Sequence, residues 1–172
     1  MESFHTITLV AAQLRNILKS KSPIILIHPI PAPYRIDLFN QLSELFTKEL
    51  SYNFVVLFEY SDVKRRSFWK KNEKNFKFNF IFLKSFILNK NKFDIVPLPS
   101  IQSIKQIFSL KPKIIICTGF SFSTLISSIY SKLYNVPFLI WTGENEYSKV
   151  NILRHLLRKF LINRAHSMFT YG

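Results

Sequence analysis

The stretch Pro23-Ile24-Ile25-Leu26-Ile27-His28 is a short, continuous apolar run, and prolines follow it at positions 29, 31 and 33. Apolar runs of this kind are typical of strands that are covered on both faces, as in parallel sheets. The prolines exclude a helix immediately afterwards and predict a rigid loop. From Tyr34 to about Leu50, apolar residues recur at helical spacing, which predicts a helix whose apolar side carries Leu38, Phe39, Leu42, Leu45, Phe46 and Leu50.

The same alternation of strand and helix continues along the chain. Further strands are predicted over 53–59, 113–118, 138–141 and 167–171, and further helices over 101–110, 121–134 and 148–164. The apolar side of the last helix carries Val150, Leu153, Leu157, Phe160 and Leu161. Such alternation predicts right-handed βαβ units and therefore an α/β fold with an open parallel sheet flanked by helices.

A row of phenylalanines alternates with other residues over 76–82, and the period of two predicts an additional strand. Its members are Phe76, Phe78, Phe80 and Phe82. The preferred interpretation is a sheet face packed into the core. The alternative is a platform on which nucleic-acid bases stack.

Length and composition restrict the class of protein. A chain of 172 residues suits one domain, and 48% hydrophobic residues exclude a disordered protein. The lone Cys117 excludes an internal disulfide and, because it lies in an apolar run, is expected to be buried. No apolar run is long enough for a transmembrane helix, and the start of the chain lacks the early positive charge of a signal peptide. These features favour a cytoplasmic protein.

Residues 1–20 are expected to form a separate amphipathic helical extension, because apolar residues recur at helical spacing between Phe4 and Leu18. This extension would lie either on the domain or on a membrane surface. Residues 21–172 then form the α/β domain. Its last predicted strand has almost nothing after it, which suggests a domain that is cut short.

The formal net charge of +14 is concentrated in two segments. Segment 64–92 carries a net charge of +9, and segment 149–164 carries +5 without any acidic residue. A local excess of this kind indicates a polyanionic partner, such as anionic lipid, nucleic acid or a phosphorylated substrate. A coding bias towards lysine is the alternative explanation. The candidate contacts are Lys64, Arg65, Arg66, Lys70, Lys71, Lys74, Arg154, Arg158 and Lys159.

Three loops follow predicted strands and are expected at the carboxyl edge of the sheet, where ligands of open α/β folds bind. They span 28–35, 119–123 and 142–147. Arg35 could pair with Asp37 or bind a phosphate or carboxylate. The default interpretation of Ser121 is a helix cap, and contact with a ligand is the alternative. His28 could be a satisfied histidine or a catalytic base. The candidate residues lining the cleft are His28, Pro31, Tyr34, Arg35, Gly119, Ser121, Trp141, Glu144 and Glu146.

Several common signatures are absent from the sequence. It has no Gly-x-Gly-x-x-Gly, no Walker loop, no Gly-x-Ser-x-Gly and no cluster of Cys and His that would hold a metal. It also lacks an Asp-x-Asp pair, which disfavours a metal-dependent glycosyltransferase of the single-domain kind. No cofactor and no metal is therefore expected.

Four segments in order resemble the N-terminal domain of GT-B glycosyltransferases, especially family 4. They are 31–39, with the sequence Pro-Ala-Pro-Tyr-Arg-Ile-Asp-Leu-Phe; 111–119, which begins Lys-Pro-Lys and ends at Gly119; 135–141, followed by an acidic loop; and 157–166. The resemblance implies a Rossmann-like domain that holds the acceptor. The nucleotide-sugar donor would bind mainly to a C-terminal domain, whose Glu-x7-Glu pattern this chain does not contain.

The resemblance implies a function in assembling surface polysaccharide or glycolipid. The acceptor would be a glycan or a lipid-linked glycan, and the domain would sit peripherally on the inner face of the plasma membrane. Catalytic residues remain unassigned, and the chain alone should be inactive. The alternatives are a basic nucleic-acid-binding module, which is disfavoured because no recognised binding motif accompanies the charge, and an acceptor-binding subunit that pairs with a separate donor domain.

Overall fold

The computed structural model of the protein describes residues 22–60, 73–88, 96–143 and 152–170. The expected extension over 1–20 lies outside these residues, as do segment 61–72 and the acidic loop after Gly143. The prediction of a separate N-terminal extension therefore stays a prediction.

Six parallel strands form one sheet, as the sequence predicts. In chain order the first elements are β1 (Ile24–His28), α1 (Pro33–Lys48), β2 (Phe54–Phe58) and β3 (Asn79–Phe82). After a two-stranded hairpin of β4 (Ser85–Leu88) and β5 (Val96–Pro99) come α2 (Ile101–Ser109), β6 (Ile114–Thr118) and α3 (Phe122–Tyr134). The last elements are β7 (Phe138–Thr142), α4 (Ile152–Ile162) and β8 (Ser167–Thr170).

The strand order in the sheet is β3-β2-β1-β6-β7-β8, and every neighbouring pair runs parallel. The strands that follow β1 are added on one side of it, in the order β2 and β3. The strands that follow β6 are added on the opposite side of the sheet, in the order β7 and β8. This order is that of a Rossmann-like, doubly wound α/β sheet, and the boundary between β1 and β6 is its topological switch point. The fold class expected from the sequence is confirmed.

The antiparallel hairpin of β4 and β5 is an addition that the sequence analysis does not predict. Ser85 pairs with Pro99 and Ile87 with Pro97. Two prolines within four residues argue against a strand by sequence, yet they are tolerated here because a two-stranded ribbon leaves one edge of each strand without ladder hydrogen bonds.

The core consists of two apolar layers, one on each face of the sheet, because successive strand residues point to opposite faces. One layer contains Ile25, Ile27, Ile115, Cys117 and Ile140 and packs against α2, α3 and α4. The other contains Ile24, Leu26, Val56 and Phe58 and packs against α1. Helices α1 and α3 therefore lie on opposite faces of the sheet.

The phenylalanine row packs into the core, in agreement with the preferred interpretation. Phe78 is buried, and Phe76, Phe80 and Phe82 are partly buried against the layer beneath α1. Only Asn79–Phe82 is a strand, whereas Phe76 follows a 3-10 turn at Glu73–Asn75. The predicted strand is therefore too long at its start.

Three apolar residues that periodicity predicts on the apolar side of a helix are exposed in the structure. Leu45 and Leu50, in and just after α1, are exposed, and Phe160 of α4 is 43% exposed instead of packed. Periodicity identifies an apolar stripe along a helix, but the neighbouring elements decide how much of that stripe is covered. None of the helices over the described residues has the length and apolar character needed to cross a membrane.

Candidate functional site

The carboxyl edge of the sheet brings two of the three predicted loops together at the switch point. The loop after β1 leads into α1 on one face, and the loop after β6 leads into α3 on the other. The hydroxyl of Thr118 donates to the carbonyl oxygen of Ile27 at 3.0 Å, which ties the ends of β6 and β1 together. Of the third loop the structure describes only Thr142 and Gly143.

On the face of α1, a cation lies between two aromatic rings. The guanidinium carbon of Arg35 is 4.9 Å from the ring centre of Trp141 and 5.5 Å from that of Tyr34. Arg35 reaches this position because Pro33 starts α1 and places it in the first turn. Trp141 points to the same face because it alternates with Ile140, which points to the other. The side chain of Arg35 thus crosses the end of β6 to reach β7.

His28 ends β1 beside this cluster and is partly buried. Its Nδ1 lies 2.8 Å from the carbonyl oxygen of Ile30, so Nδ1 carries the proton and donates. Its ring packs edge-on against Phe39, 5.2 Å away, and Phe58, 6.3 Å away. Burial lowers the pKa of His28 to about 4, the bond to Ile30 opposes this shift, and the charge of Arg35 adds to it. At neutral pH His28 is therefore an uncharged, satisfied histidine.

On the face of α3, the loop after β6 is fixed by a capping box. The Ser121 hydroxyl accepts from the Thr124 N–H at 3.2 Å, and the Thr124 hydroxyl accepts in return from the Ser121 N–H at 3.3 Å. Gly119 precedes this cap with a φ of +87°, and its N–H donates to the carbonyl oxygen of Trp141. Among the described residues, no atom lies within 4 Å of the position that a Cβ at Gly119 would take.

Glu59 is a site residue that the sequence analysis missed. It follows β2, its N–H donates to the carbonyl oxygen of His28 at 3.0 Å, and its side chain is only 2% exposed. Burial raises the pKa of Glu59, although the hydroxyls of Ser121 and Ser123 act in the opposite direction. The polar atoms Glu59 Oε1, Ser123 Oγ and Ser127 Oγ are buried and have no hydrogen-bond partner in the described part of the chain.

Glu59 is thus a buried acid with a raised pKa at the carboxyl edge, next to the first turn of α3. A signal for it exists in the sequence, since it ends an apolar strand at a position that faces the same side as Val55 and Leu57. That signal is weak, because an acid after a strand is ordinarily exposed to solvent.

Comparison with known proteins adds no function to this geometry. No protein-family model matches the chain, and no curated protein matches it. Among solved structures, it is similar to a protein of unknown function from Vibrio parahaemolyticus. The sequence identity is 10%, the TM-score is 0.47, and the match covers 90% of this chain and 95% of the other.

The remaining predicted cleft residues lie in different parts of the structure or outside the described residues. Pro31 is partly buried in the loop after β1, two residues before α1 begins. Ser121 caps α3, which was the default interpretation of this residue. Glu144 and Glu146 lie outside the described residues, so their place at the edge stays a prediction.

The predicted polyanion contacts also lie partly within and partly outside the described residues. Lys64, Arg65, Arg66, Lys70 and Lys71 lie outside the described residues, whereas Lys74 is exposed in the 3-10 turn before β3. Arg154 and Lys159 are exposed on α4. Arg158 is partly buried, and its guanidinium lies 5.5 Å from the ring centre of Phe120 in the loop after β6. Arg158 therefore contacts the loop after β6 and not only the outer surface.

Proposed function

We propose that this chain is the acceptor-side domain of a GT-B glycosyltransferase and that a glycan or lipid-linked acceptor binds at the carboxyl edge of its sheet. The observation that carries the proposal is the pairing of Arg35 with Trp141 at the carboxyl edge of the sheet, where the N–H of Gly119 donates to the carbonyl oxygen of Trp141. Ligands of open α/β sheets bind at this position. The motif resemblance described above names the activity.

The chemistry of the edge suits a sugar. The rings of Trp141 and Tyr34 offer apolar surfaces to the C–H faces of a sugar ring, since aromatic side chains bury large areas. The guanidinium of Arg35 and the polar groups of the loops can bond to hydroxyl groups. A site that combines apolar surface with a few placed polar groups is typical of small-ligand recognition.

No residue of the described edge is proposed as the catalytic base. His28 would be the obvious choice, but a pKa of about 4 makes it a weak base at neutral pH. We infer that His28 positions the loop after β1. The donor is a nucleotide sugar that binds mainly to a separate domain, so the chain alone is expected to have no transferase activity.

Saturation-transfer NMR on the 172-residue chain tests this proposal, with a panel of mono- and disaccharides and a set of nucleotide sugars. We expect saturable binding of at least one glycan and none of the nucleotide sugars. Trp141→Ala should abolish glycan binding, while Phe86→Ala, which removes an exposed ring from the hairpin, should leave it unchanged. Binding of a nucleotide sugar, or glycan binding that survives Trp141→Ala, would contradict the proposal.

We further propose that α4 contacts an anionic membrane, where the acceptor would be found at the inner face of the plasma membrane. Ile152, Leu156 and Phe160 stand one turn apart on α4 and are 81%, 56% and 43% exposed. Arg154 and Lys159 are exposed on the same helix, and no acidic residue occurs over 149–164. An exposed apolar stripe beside basic residues is typical of helices that lie in the membrane interface.

Co-sedimentation with phosphatidylcholine vesicles, with and without phosphatidylglycerol, tests the membrane contact. Leu156→Glu should remove binding, and Lys159→Glu should weaken binding to the anionic vesicles by about fivefold or more. Leu45→Glu is the matched control, because Leu45 is an exposed leucine on α1 at the opposite face of the sheet. An equal loss of vesicle binding with Leu45→Glu would indicate a general effect of charge and would contradict the proposed contact between α4 and the membrane.

The alternative of a nucleic-acid-binding module loses one of its two supports. Its stacking platform was the phenylalanine row, and that row packs against the core. In the alternative of an acceptor-binding subunit, the acceptor binds at the same edge. The difference is that the donor domain then belongs to a separate protein. A co-purifying protein with a nucleotide-sugar site would favour it.

A further inference from the structure

Helix α3 turns large apolar residues outward and small polar residues towards the core. Phe122, Ile129 and Leu133 are 37%, 44% and 67% exposed. A surface helix of a soluble domain ordinarily has the reverse arrangement, with its apolar stripe facing the core. The outer side of α3 is therefore suited to packing against a further apolar element. The buried side carries Ser123, Thr124, Ser127, Ser128 and Ser131.

The outward apolar residues of α3 lie on one narrow line along the helix. Together with the partly exposed Ile126, they occupy positions 122, 126, 129 and 133, which we call the α3 stripe. Consecutive members are separated by four, three and four residues. This alternation averages about 3.5 residues, and it is the spacing of the seam along which two helices pack side by side.

The N-terminal sequence contains an apolar series with the same spacing. Residues 4–18 lie outside the described part of the chain, and their periodicity predicts a helix. Four of their apolar residues repeat the steps of four, three and four, namely Ile7, Ala11, Leu14 and Leu18. The two series therefore match in order along a parallel pair of helices, so that Leu14 corresponds to Ile129. None of the eight positions carries a charged or polar side chain, as the interior of a helix seam requires.

The N-terminal segment enters the sheet at the edge where α3 ends. The carbonyl oxygen of Pro23, just before β1, accepts a hydrogen bond from the N–H of Lys113, just before β6. The carbonyl oxygen of Pro137, just before β7, accepts one from the N–H of Ile115 in β6. The starts of β1, β6 and β7 are thus neighbours at the amino edge, and the C-terminal end of α3 leads to this same edge.

This placement fixes the direction of the pairing. A helix over 4–18 that leads into β1 must bring its C-terminal end to the amino edge, as α3 does, so the two helices would run parallel. Its length would be about 22 Å, close to the roughly 20 Å of α3. The connection from Leu18 to Pro23 reaches roughly 17 Å when extended, whereas packed helix axes are about 8–10 Å apart.

We propose that residues 4–18 form a helix that packs in parallel on the α3 stripe of the same chain. The inference does not depend on the proposed function. Of the two places that the sequence leaves open for the extension, it selects the domain. The exposed stripe of α4 stays available for the membrane contact proposed above.

Disulfide formation in the full chain tests the proposal. Leu14→Cys is combined with Ile129→Cys, because opposed residues of a parallel seam come close enough to form a disulfide. The matched control combines Leu14→Cys with Leu45→Cys, since Leu45 is an exposed leucine of α1 on the opposite face of the sheet. Under mild oxidation, we expect the first pair to form an intrachain disulfide at least roughly tenfold faster than the control pair. Peptide mapping distinguishes this disulfide from any that involves Cys117.

A pair of charge substitutions gives an independent measurement. Leu14→Asp places a charge in the seam, and Asn16→Asp introduces the same charge outside the apolar series. In amide NMR spectra, we expect Leu14→Asp to shift the resonances of Ile126 and Ile129 in α3. Asn16→Asp should leave these resonances unchanged, and unaltered resonances of β1 in both variants show that the fold is intact.

The outcomes separate the three possible positions of the extension. A fast intrachain disulfide between positions 14 and 129, with shifts in α3 that occur only in Leu14→Asp, supports the proposal. Equal rates for the two cysteine pairs overturn it. A disulfide that joins two chains overturns it in favour of a second copy on the α3 stripe. If Leu14→Asp leaves α3 unchanged and weakens co-sedimentation with phosphatidylglycerol vesicles, the extension lies on the membrane and the proposal is wrong.

Discussion

The guanidinium of Arg35 stacks on the indole ring of Trp141 at 4.9 Å, although the two residues belong to the first helix and the fifth parallel strand of the sheet along the chain. The contact spans the end of β6 and joins the two halves of the doubly wound sheet. A cation over a Trp face contributes on the order of 0.5–1 kcal/mol at a partly exposed site.

A double-mutant cycle measures this pair directly. Arg35→Met and Trp141→Leu should each destabilise the domain, and their coupling free energy should be about 0.5–1 kcal/mol in urea unfolding. Both residues make further interactions, and the cycle removes those from the result. A coupling near zero would show that the stack does not hold the guanidinium in place.

Glu59→Gln should stabilise the protein above neutral pH. Burial raises the pKa of Glu59 in the folded state, so between the unfolded value of 4.5 and the folded value the folded chain keeps a proton that the unfolded chain loses. Stability therefore falls as pH rises through this window, by up to about 1.4 kcal/mol per pH unit. The glutamine variant should lose this slope in urea unfolding at a series of pH values.

Glu44→Gln provides the control for the preceding variant. Glu44 is exposed on α1 and pairs with Lys48 one turn later, and the hydrogen bond from Lys48 lowers the pKa of Glu44. The sign of its contribution is opposite: stability is present above 4.5 and is lost as pH falls. An equal effect of the two substitutions at high pH would contradict the raised pKa of Glu59.

NMR titration of the His28 ring should give a pKa of about 4, because burial opposes its charged form. The folded chain then stays neutral at His28 between pH 6.5 and 4 while the unfolded chain binds a proton, so stability is lost as pH falls through this window. Arg35→Met should raise the pKa of His28, since it removes a nearby positive charge. A ring that titrates at its ordinary value would show that it is open to solvent.

Gly119→Ala should destabilise the protein by about 1–2 kcal/mol, because φ at this position is +87° and L side chains rarely adopt such a backbone. We expect the backbone conformation to account for this loss, since a Cβ would meet no atom of the described residues within 4 Å. Gly119→Asn should cost less, as asparagine tolerates positive φ better. Equal unfolding free energies for the alanine variant and the wild type would argue against the positive φ.

Cys117 should resist thiol reagents in the folded protein. The side chain is fully buried, and burial raises its pKa to about 12, so little reactive thiolate is present at neutral pH. With a disulfide exchange reagent at pH 8, labelling should be at least roughly a hundredfold slower than in urea. Fast labelling under native conditions would show that the layer between β6 and α3 opens easily.

The sequence by itself determined the parallel sheet and most of its elements. The apolar runs ending at His28, Thr118 and Trp141 define strands because each must be covered on both faces, and this requirement is local to the run. It also predicted the capping role of Ser121 and the burial of Cys117. In these cases the physical cause lies within a few residues of the chain.

Only the tertiary structure decided which residues meet and which are covered. In the folded protein Arg35 stacks on Trp141, Glu59 is buried next to the first turn of α3, and Phe160 is exposed on α4. None of these follows from local periodicity, because each depends on an element supplied by a distant part of the chain. Burial, and with it the pKa shift of Glu59 and of His28, is a property of the assembled sheet edge, since desolvation is set by everything that surrounds a group in space.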